Sequence, residues 1–216
     1  MAGSEEVYGQ KSSSRQSSRL VAESNMISVF LSASVPLPPP DRSARYFETA
    51  DTIAIRDSIR ALVTCVVPRG KLVFGGHPAI TPMIRLLVRS MELPVRQHVV
   101  LFQSEFFKKE FPQESAEFEQ VRLVKAVPGD RDESLARMRE VMIRSEDFSA
   151  AVFIGGMEGV EEEYQIFKQW HPSKPLIPVA STGAAARLIF DRFHADDREL
   201  LSNSTYLSLF RRRLYA

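Results

Sequence analysis

Short apolar segments alternate with amphipathic segments along most of this sequence, and this alternation constrains the fold more than any other feature. Six runs of mostly β-branched, aliphatic and aromatic residues have the length and composition of buried strands. They cover residues 27–32, 71–74, 98–102, 121–127, 150–154 and 175–179. Between most of these runs, apolar residues recur at helical spacing, as they do at Ile55, Ile59 and Leu62.

A strand that is followed by a helix and then by another strand indicates parallel pairing, because parallel neighbours need a long crossover connection. Parallel sheets are buried on both faces, which explains the continuous apolar runs. We therefore predict an α/β fold: a Rossmann-like three-layer sandwich with a mainly parallel sheet of about six strands and helices on both faces. Ligands bind such sheets beyond the carboxyl ends of the strands, where the strand order reverses.

The domain organisation follows from the distribution of apolar residues. Residues 1–25 are polar and rich in serine, as in Ser12–Ser14 and Ser17–Ser18, so we expect a flexible N-terminal tail. Residues 26–216 then form one domain, because a chain of 216 residues with 44% hydrophobic residues can bury one sizeable core.

Charge and cysteine content exclude several functional classes. The 28 basic and 27 acidic residues give a formal net charge of +1, so nucleic acid is not an expected partner. The single cysteine, Cys65, cannot form an intrachain disulfide and belongs to no metal-ligand motif. No apolar run has the roughly 20 residues that cross a bilayer. We expect a cytoplasmic protein with no membrane association, no metal and no cofactor.

The first candidate site is the turn that follows the second predicted strand. Here Gly75 and Gly76 precede a helix, and a helix N-terminus offers free N–H groups to an anion. We predict ligand binding by Gly75, Gly76, His77 and Thr81. The alternative is a tight turn that needs glycine only for its backbone geometry, with His77 in a structural role.

The second candidate site follows the fifth predicted strand and carries more information. Glycines and carboxylates alternate here at the start of a helix, and we predict ligand binding by Gly155, Gly156, Glu158, Gly159 and Glu162. Glu163 is the candidate catalytic residue, since a carboxylate there could stabilise positive charge at an anomeric carbon. The alternative is that these carboxylates only complement the positive end of the helix dipole.

Weaker candidates complete the predicted pocket. They are Ser32 and Ser34 after the first strand, and Ser181 and Thr182 before an alanine-rich helix; each could instead be a helix cap or turn residue. Arg137, and its neighbour Arg139, could balance a phosphate, although charged residues on an amphipathic helix usually form its solvated face. Walker, Gly-x-Gly-x-x-Gly and Gly-x-Ser-x-Gly motifs are absent from the sequence.

Together these turns resemble the SLOG superfamily, which includes the Lonely-guy (LOG) phosphoribohydrolases. The resemblance covers residues 27–190 and is best at the second glycine turn, where LOG enzymes have Pro-Gly-Gly-x-Gly-Thr-x-x-Glu. Gly155 and Gly156 match the glycine pair, Gly159 and Val160 match Gly-Thr after one inserted residue, and Glu163 matches the catalytic glutamate. Ile154 replaces the proline.

The resemblance implies that this chain binds or senses a nucleotide or nucleotide-derived metabolite, such as a nucleoside monophosphate or an NAD- or ADP-ribose-like molecule. It is similar to divergent SLOG domains of bacterial conflict and defence systems, which implies a defence-system partner protein. The resemblance to LOG enzymes, which dimerise, implies a homodimer instead. A hydrolase of N-glycosidic bonds, of the LOG type, is the first alternative. A TIR-like or structural interaction domain is the second, because residues 29–32 resemble a TIR first strand.

Overall fold

The computed structural model describes residues 26–40 and 43–215, and its centre is a six-stranded parallel sheet. The strand order is β4-β3-β2-β1-β5-β6. The strands are β1 Ile27–Ser34, β2 Gly70–Gly75, β3 Val99–Ser104, β4 Gln120–Val124, β5 Ala150–Gly155 and β6 Leu176–Val179. The predicted tail at residues 1–25 lies outside the described residues.

Helices connect the strands and cover both faces of the sheet, which confirms the predicted Rossmann-like α/β class. The helices are α1 Ala44–Phe47, α2 Thr52–Val66, α3 Ile80–Arg89, α4 Leu93–Arg96, α5 Arg131–Ile143, α6 Glu158–Trp170, α7 Ala184–Phe193, α8 Arg198–Ser202 and α9 Tyr206–Tyr215. Short 3-10 helices lie at Glu105–Phe107, Gln113–Glu117 and Ala180–Thr182. No helix among the described residues is both long and apolar enough to pass through a membrane.

Alternation along each strand sends neighbouring side chains to opposite layers of the core. In β1, Val29 and Leu31 pack with the helices α2, α3 and α9, whereas Phe30 packs with α5, α6 and α7. The even-numbered residues of β1 therefore face the α5 and α6 layer, and these include Ser32 and Ser34.

The structure corrects the sequence-based prediction in two places. β4 ends at Val124 rather than at Val127, because the Val127 N–H donates to the Ser134 hydroxyl instead of continuing the sheet. Val141, expected on the apolar face of α5, is 45% exposed. It lies beyond the edge of the stripe formed by Met138 and Met142, which are buried.

The strand order reverses between β1 and β5. The chain runs outward from β1 through β2 and β3 to β4, then returns to pair β5 with the other side of β1. The connections before and after this reversal pass over opposite faces, which opens a crevice at the carboxyl ends of β1 and β5. Ser34 and Gly155, which are partners in the β1–β5 register, lie at this point.

Candidate ligand-binding site

A cavity of about 500 Å³ lies at the carboxyl ends of β1 and β2, beside the β1–β5 pair at which the strand order reverses. This volume is in the range of small-molecule sites. Its walls come from β1, from the turn after β2, from the inner face of α5 and from the first two turns of α6. The lining residues are Leu31, Ala33, Ser34, Gly75, Gly76, His77, Arg131, Asp132, Leu135, Ala136, Met138, Arg139, Met157, Glu158, Gly159, Val160, Glu162 and Glu163.

The glycine pair at the end of β5, Gly155 and Gly156, does not line this cavity. The Gly155 N–H donates to the Thr182 hydroxyl at 2.8 Å, and the Gly156 N–H donates to the Ser34 carbonyl at 2.9 Å. Both amides are therefore already satisfied and cannot cradle a phosphate. The Thr182 hydroxyl in turn donates to the Val179 carbonyl, so Thr182 fixes the turn and does not touch the cavity.

The free backbone donors lie one step further along the chain, at the start of α6. Val160 and Glu161 both donate to the Met157 carbonyl. The N–H groups of Met157, Glu158 and Gly159 have no acceptor among the described residues, and all three residues line the cavity. An N-terminal turn of this kind attracts an anion through its free amides and the helix dipole. We therefore expect an anion to contact these three amides, rather than the amides of Gly155 and Gly156 as the sequence suggested.

The turn after β2 also uses its own amides internally. The Gly76 N–H donates to the Phe102 carbonyl, the His77 N–H donates to the Thr81 hydroxyl at 3.0 Å, and the Ala79 N–H donates to His77 Nδ1 at 3.2 Å. Thr81 is buried and holds the turn without lining the cavity.

His77 is the polar side chain that this turn presents to the cavity. Burial lowers the pKa of His77 to about 4, so its imidazole is neutral at pH 7. Because Nδ1 accepts the Ala79 N–H, the proton of the neutral ring resides on Nε2. His77 can thus donate a hydrogen bond through Nε2 and carries no positive charge at pH 7.

The opposite wall carries a partly buried ion pair between α5 and α6. Arg139 Nε lies 3.5 Å from Glu163 Oε1, and the two side chains are 15% and 14% exposed. Arg139 also contacts the more exposed Glu162 through Nη1. Gly159 makes this arrangement possible, because a Cβ atom at that position would lie 2.6 Å from Arg139 Nη2.

The protonation of Glu163 depends on competing effects. Burial raises the pKa of Glu163, the charge of Arg139 and a contact with Ser32 oppose the rise, and the nearby Glu162 adds to it. The net direction is upward. The Ser32 hydroxyl is close enough to act on the carboxyl, yet it forms no hydrogen bond of ordinary geometry among the described residues.

The structure brings most of the predicted site residues to one cavity. Those that line it are Ser34, Gly75, Gly76, His77, Glu158, Gly159, Glu162 and Glu163. Ser32 is buried beside Glu163. Ser181 lies away from the cavity, where its hydroxyl contacts the Asn203 carbonyl and the Tyr206 hydroxyl.

Of the two candidate arginines on α5, Arg139 lines the cavity and Arg137, which is exposed, does not. The reason is helical geometry: Arg139 lies four residues after Leu135 and shares its face, while a residue two positions away points elsewhere. The same spacing from Leu135 back to Arg131 could have identified Arg131 as a cavity residue, which the sequence analysis missed along with Asp132.

A shallower depression of about 320 Å³ adjoins the cavity on the other side of α6, and both are lined by Glu158 and Glu162. Glu161 lies in this depression and accepts a hydrogen bond from the Tyr46 hydroxyl. Burial and this carboxylate raise the pKa of Tyr46 to about 12. Arg45 contacts the same carboxylate at 3.0 Å, so this ion pair ties α1 to α6.

A parallel sheet with helices on both faces and a cavity at its switch point defines an α/β protein of the Rossmann-like class. Residues 45–214 match the model of the SLOG cluster3 family, and the chain belongs to that family. The SLOG resemblance is thereby confirmed, whereas the TIR-like alternative gains no support. The crystal structure of TM1055, a Northeast Structural Genomics Consortium target, is similar with a TM-score of 0.48 at 15% identity, covering 81% of this chain and 89% of that chain. A search of curated protein sequences found no match.

Proposed function

We propose that this protein binds or senses a nucleotide or nucleotide-derived metabolite in the cavity at the carboxyl ends of β1 and β2. The observation that carries the proposal is the convergence of free backbone amides, a cation and several carboxylates on one cavity. The amides of residues 157–159 and the Arg139 guanidinium suit one anionic group. Ser34, Glu158 and Glu163 can bind the hydroxyl groups of a ribose.

The charges of the cavity favour a ligand with few phosphate groups. Its lining contains two arginines, Arg131 and Arg139, against four carboxylates. The carboxylates are Asp132, Glu158, Glu162 and Glu163. Arg139 is paired with Glu162 and Glu163, and Arg131 is paired with Asp132. A triphosphate would be repelled by the excess of negative charge in this lining. A ligand that places one phosphate on the α6 amides and its hydroxyl groups near the carboxylates would avoid most of this repulsion.

A thermal-shift screen tests the proposal, with AMP, ADP-ribose, NAD and 3′,5′-cyclic AMP as ligands and ATP as the contrast. We expect at least one of the first four to raise the melting temperature more than ATP does. Arg139→Gln should abolish most of the shift, and the matched control Arg137→Gln, on the same helix but outside the cavity, should keep it. The absence of a shift with every ligand would overturn the proposal.

Hydrolysis of an N-glycosidic bond is the second candidate, and the position of Glu163 favours it. This carboxyl lies in the cavity wall with little exposure and a raised pKa, where it could stabilise a developing cation or supply a proton to the leaving base. In the reaction the C–N bond breaks, water adds to the anomeric carbon and the base leaves with a proton. Chromatography of the ligand mixtures for free base, with Glu163→Gln as the control, decides between binding and turnover.

The cellular setting rests on family membership alone. The bacterial conflict context implied by the SLOG resemblance would be tested by comparing phage resistance of cells that carry the wild-type chain or the Arg139→Gln variant. The homodimer or defence-system partner protein also stays a prediction. Size-exclusion chromatography with light scattering, with and without ligand, would test the homodimer.

A further inference from the structure

Among the described residues, the Glu163 carboxylate in the cavity wall has Arg139 as its one cationic partner. Glu163 is 14% exposed and its charged neighbour is Arg139, 3.5 Å away on α5. Its other polar neighbour, Ser32 on β1, is a buried neutral hydroxyl. β5, on the floor beneath α6, consists of Ala150–Gly155 and has no titratable side chain.

Arg139 is also the cation best placed to meet a ligand. It lies against Gly159 in the first turn of α6 and lines the same cavity as the free amides of residues 157–159. Its Nε is buried and forms no hydrogen bond of ordinary geometry with any described residue. A guanidinium with a spare donor beside a ready-made anion site will turn toward an anion that enters.

We propose that an anionic ligand takes Arg139 from Glu163, and that Glu163 then binds a proton from solvent, so that ligand binding and proton uptake are coupled. This inference rests on the proposed function and adds a regulatory property to the same site. A carboxylate of low exposure that shares its cation with the ligand loses much of the charge compensation that kept it ionised. Taking up a proton removes the uncompensated charge.

The electrostatics of the free protein point in the same direction. The pKa of Glu163 is already raised by burial, and the charge of Arg139 is the largest effect that holds it down. Glu162 raises it further. The other charged or titratable groups around the cavity are Arg131 and Asp132 on α5, His77 after β2 and Glu158 on α6. Arg131 pairs with Asp132, and His77 is neutral above its pKa of about 4, so neither replaces Arg139 beside Glu163.

The sign of the pH dependence follows from this coupling. Glu163 has a higher pKa in the complex than in the free protein, so between these two pKa values the complex holds more protons. Within that window the affinity falls as pH rises, by at most tenfold per pH unit for one proton. A ligand with a constant charge is needed, and the diesterified diphosphate of ADP-ribose keeps its charge from pH 5 to pH 8.

Isothermal titration calorimetry of ADP-ribose in two buffers with different ionisation enthalpies measures the proton uptake. At a pH between the Glu163 pKa of the free protein and that of the complex, we expect the wild type to take up a measurable fraction of one proton. Glu163→Gln should take up none, and the matched control Glu140→Gln, which removes an exposed carboxylate of α5 outside the cavity, should keep the uptake. Binding without proton uptake, or equal uptake in Glu163→Gln, would overturn the inference and leave the proposed function intact. The absence of binding by every ligand would overturn both.

A second measurement needs no ligand. Carboxyl NMR of the free protein, with Glu163→Gln to assign the signal, follows the ionisation of Glu163 directly. Arg139→Gln should raise the pKa of Glu163, and Arg139→Lys, which keeps the charge, should restore part of the original value. An unchanged pKa in Arg139→Gln would show that Arg139 does not hold Glu163 ionised and would overturn the inference.

Discussion

Alanine at Gly156 and alanine at Gly159 should differ strongly in their effect on stability, because the two positions are crowded by different atoms. Gly156 has a φ of +95°, and a Cβ atom there would lie 2.7 Å from Val160 Cβ. Forcing alanine into this backbone region costs about 1–3 kcal/mol. Overpacking against the first turn of α6 typically adds about 1–3 kcal/mol. Gly156→Ala should therefore lower the free energy of unfolding by about 2–6 kcal/mol.

Gly159→Ala meets only the end of a flexible side chain. The added Cβ would lie 2.6 Å from Arg139 Nη2 and 3.7 Å from Arg139 Cζ, so the guanidinium must move while the backbone stays. Alanine is more favourable than glycine in a helix by about 0.5–1 kcal/mol, which offsets part of the weakened ion pair. The free energy of unfolding should stay within about 1 kcal/mol of the wild type.

Urea unfolding followed by the fluorescence of Trp170, the one tryptophan of the chain, measures both variants. A Gly156→Ala variant as stable as the wild type would refute the turn geometry. A Gly159→Ala variant that loses as much stability as Gly156→Ala would refute the placement of Arg139. Gly159→Ala should nevertheless bind ADP-ribose at least about tenfold more weakly, because a charge-assisted hydrogen bond contributes about 1.5–3 kcal/mol.

Three further predictions concern groups around the cavity. The pKa of His77 is lowered from 6.5 to about 4, so between these pH values the unfolded chain binds more protons than the folded protein. The free energy of unfolding should therefore fall as the pH is lowered from 6.5 to 4. His77→Gln should make that fall smaller in urea titrations. Thr182→Val should leave the Gly155 N–H without its acceptor and lower the free energy of unfolding by about 1–3 kcal/mol. Amide exchange at Gly155 should become faster, and an unchanged exchange rate would disprove the contact. Tyr46→Phe should cost about 1–3 kcal/mol by removing the donor to Glu161, and unaltered thermal unfolding would contradict that contact.

Much of the architecture was predictable from the sequence because it depends on local periodicity. The six apolar runs became the six strands, and the alternation in β1 placed Ser32 and Ser34 on the face of α5 and α6. Strand order depends on tertiary contacts. The sequence could therefore predict that the sheet has a switch point, but not that it lies between β1 and β5.

The details of the candidate site were less predictable, because they depend on contacts between distant residues. Gly155 looked like a phosphate-binding glycine, yet its amide is taken by Thr182, which is 27 residues away. Arg137 and Arg139 are equivalent as residue types, and only the inward face of α5 separates them. Glu163 could be singled out from its motif, whereas its pairing with Arg139 required the packing of α5 against α6.

The central claim is that the first turn of α6 and the facing wall of α5 form the ligand site. Amide NMR during titration with ADP-ribose tests it most directly, since each backbone N–H reports its own surroundings. We predict that the amides of Met157, Glu158 and Gly159 shift most, together with the Arg139 side-chain N–H. Saturable binding whose largest shifts fall elsewhere, with these signals unmoved, would contradict it.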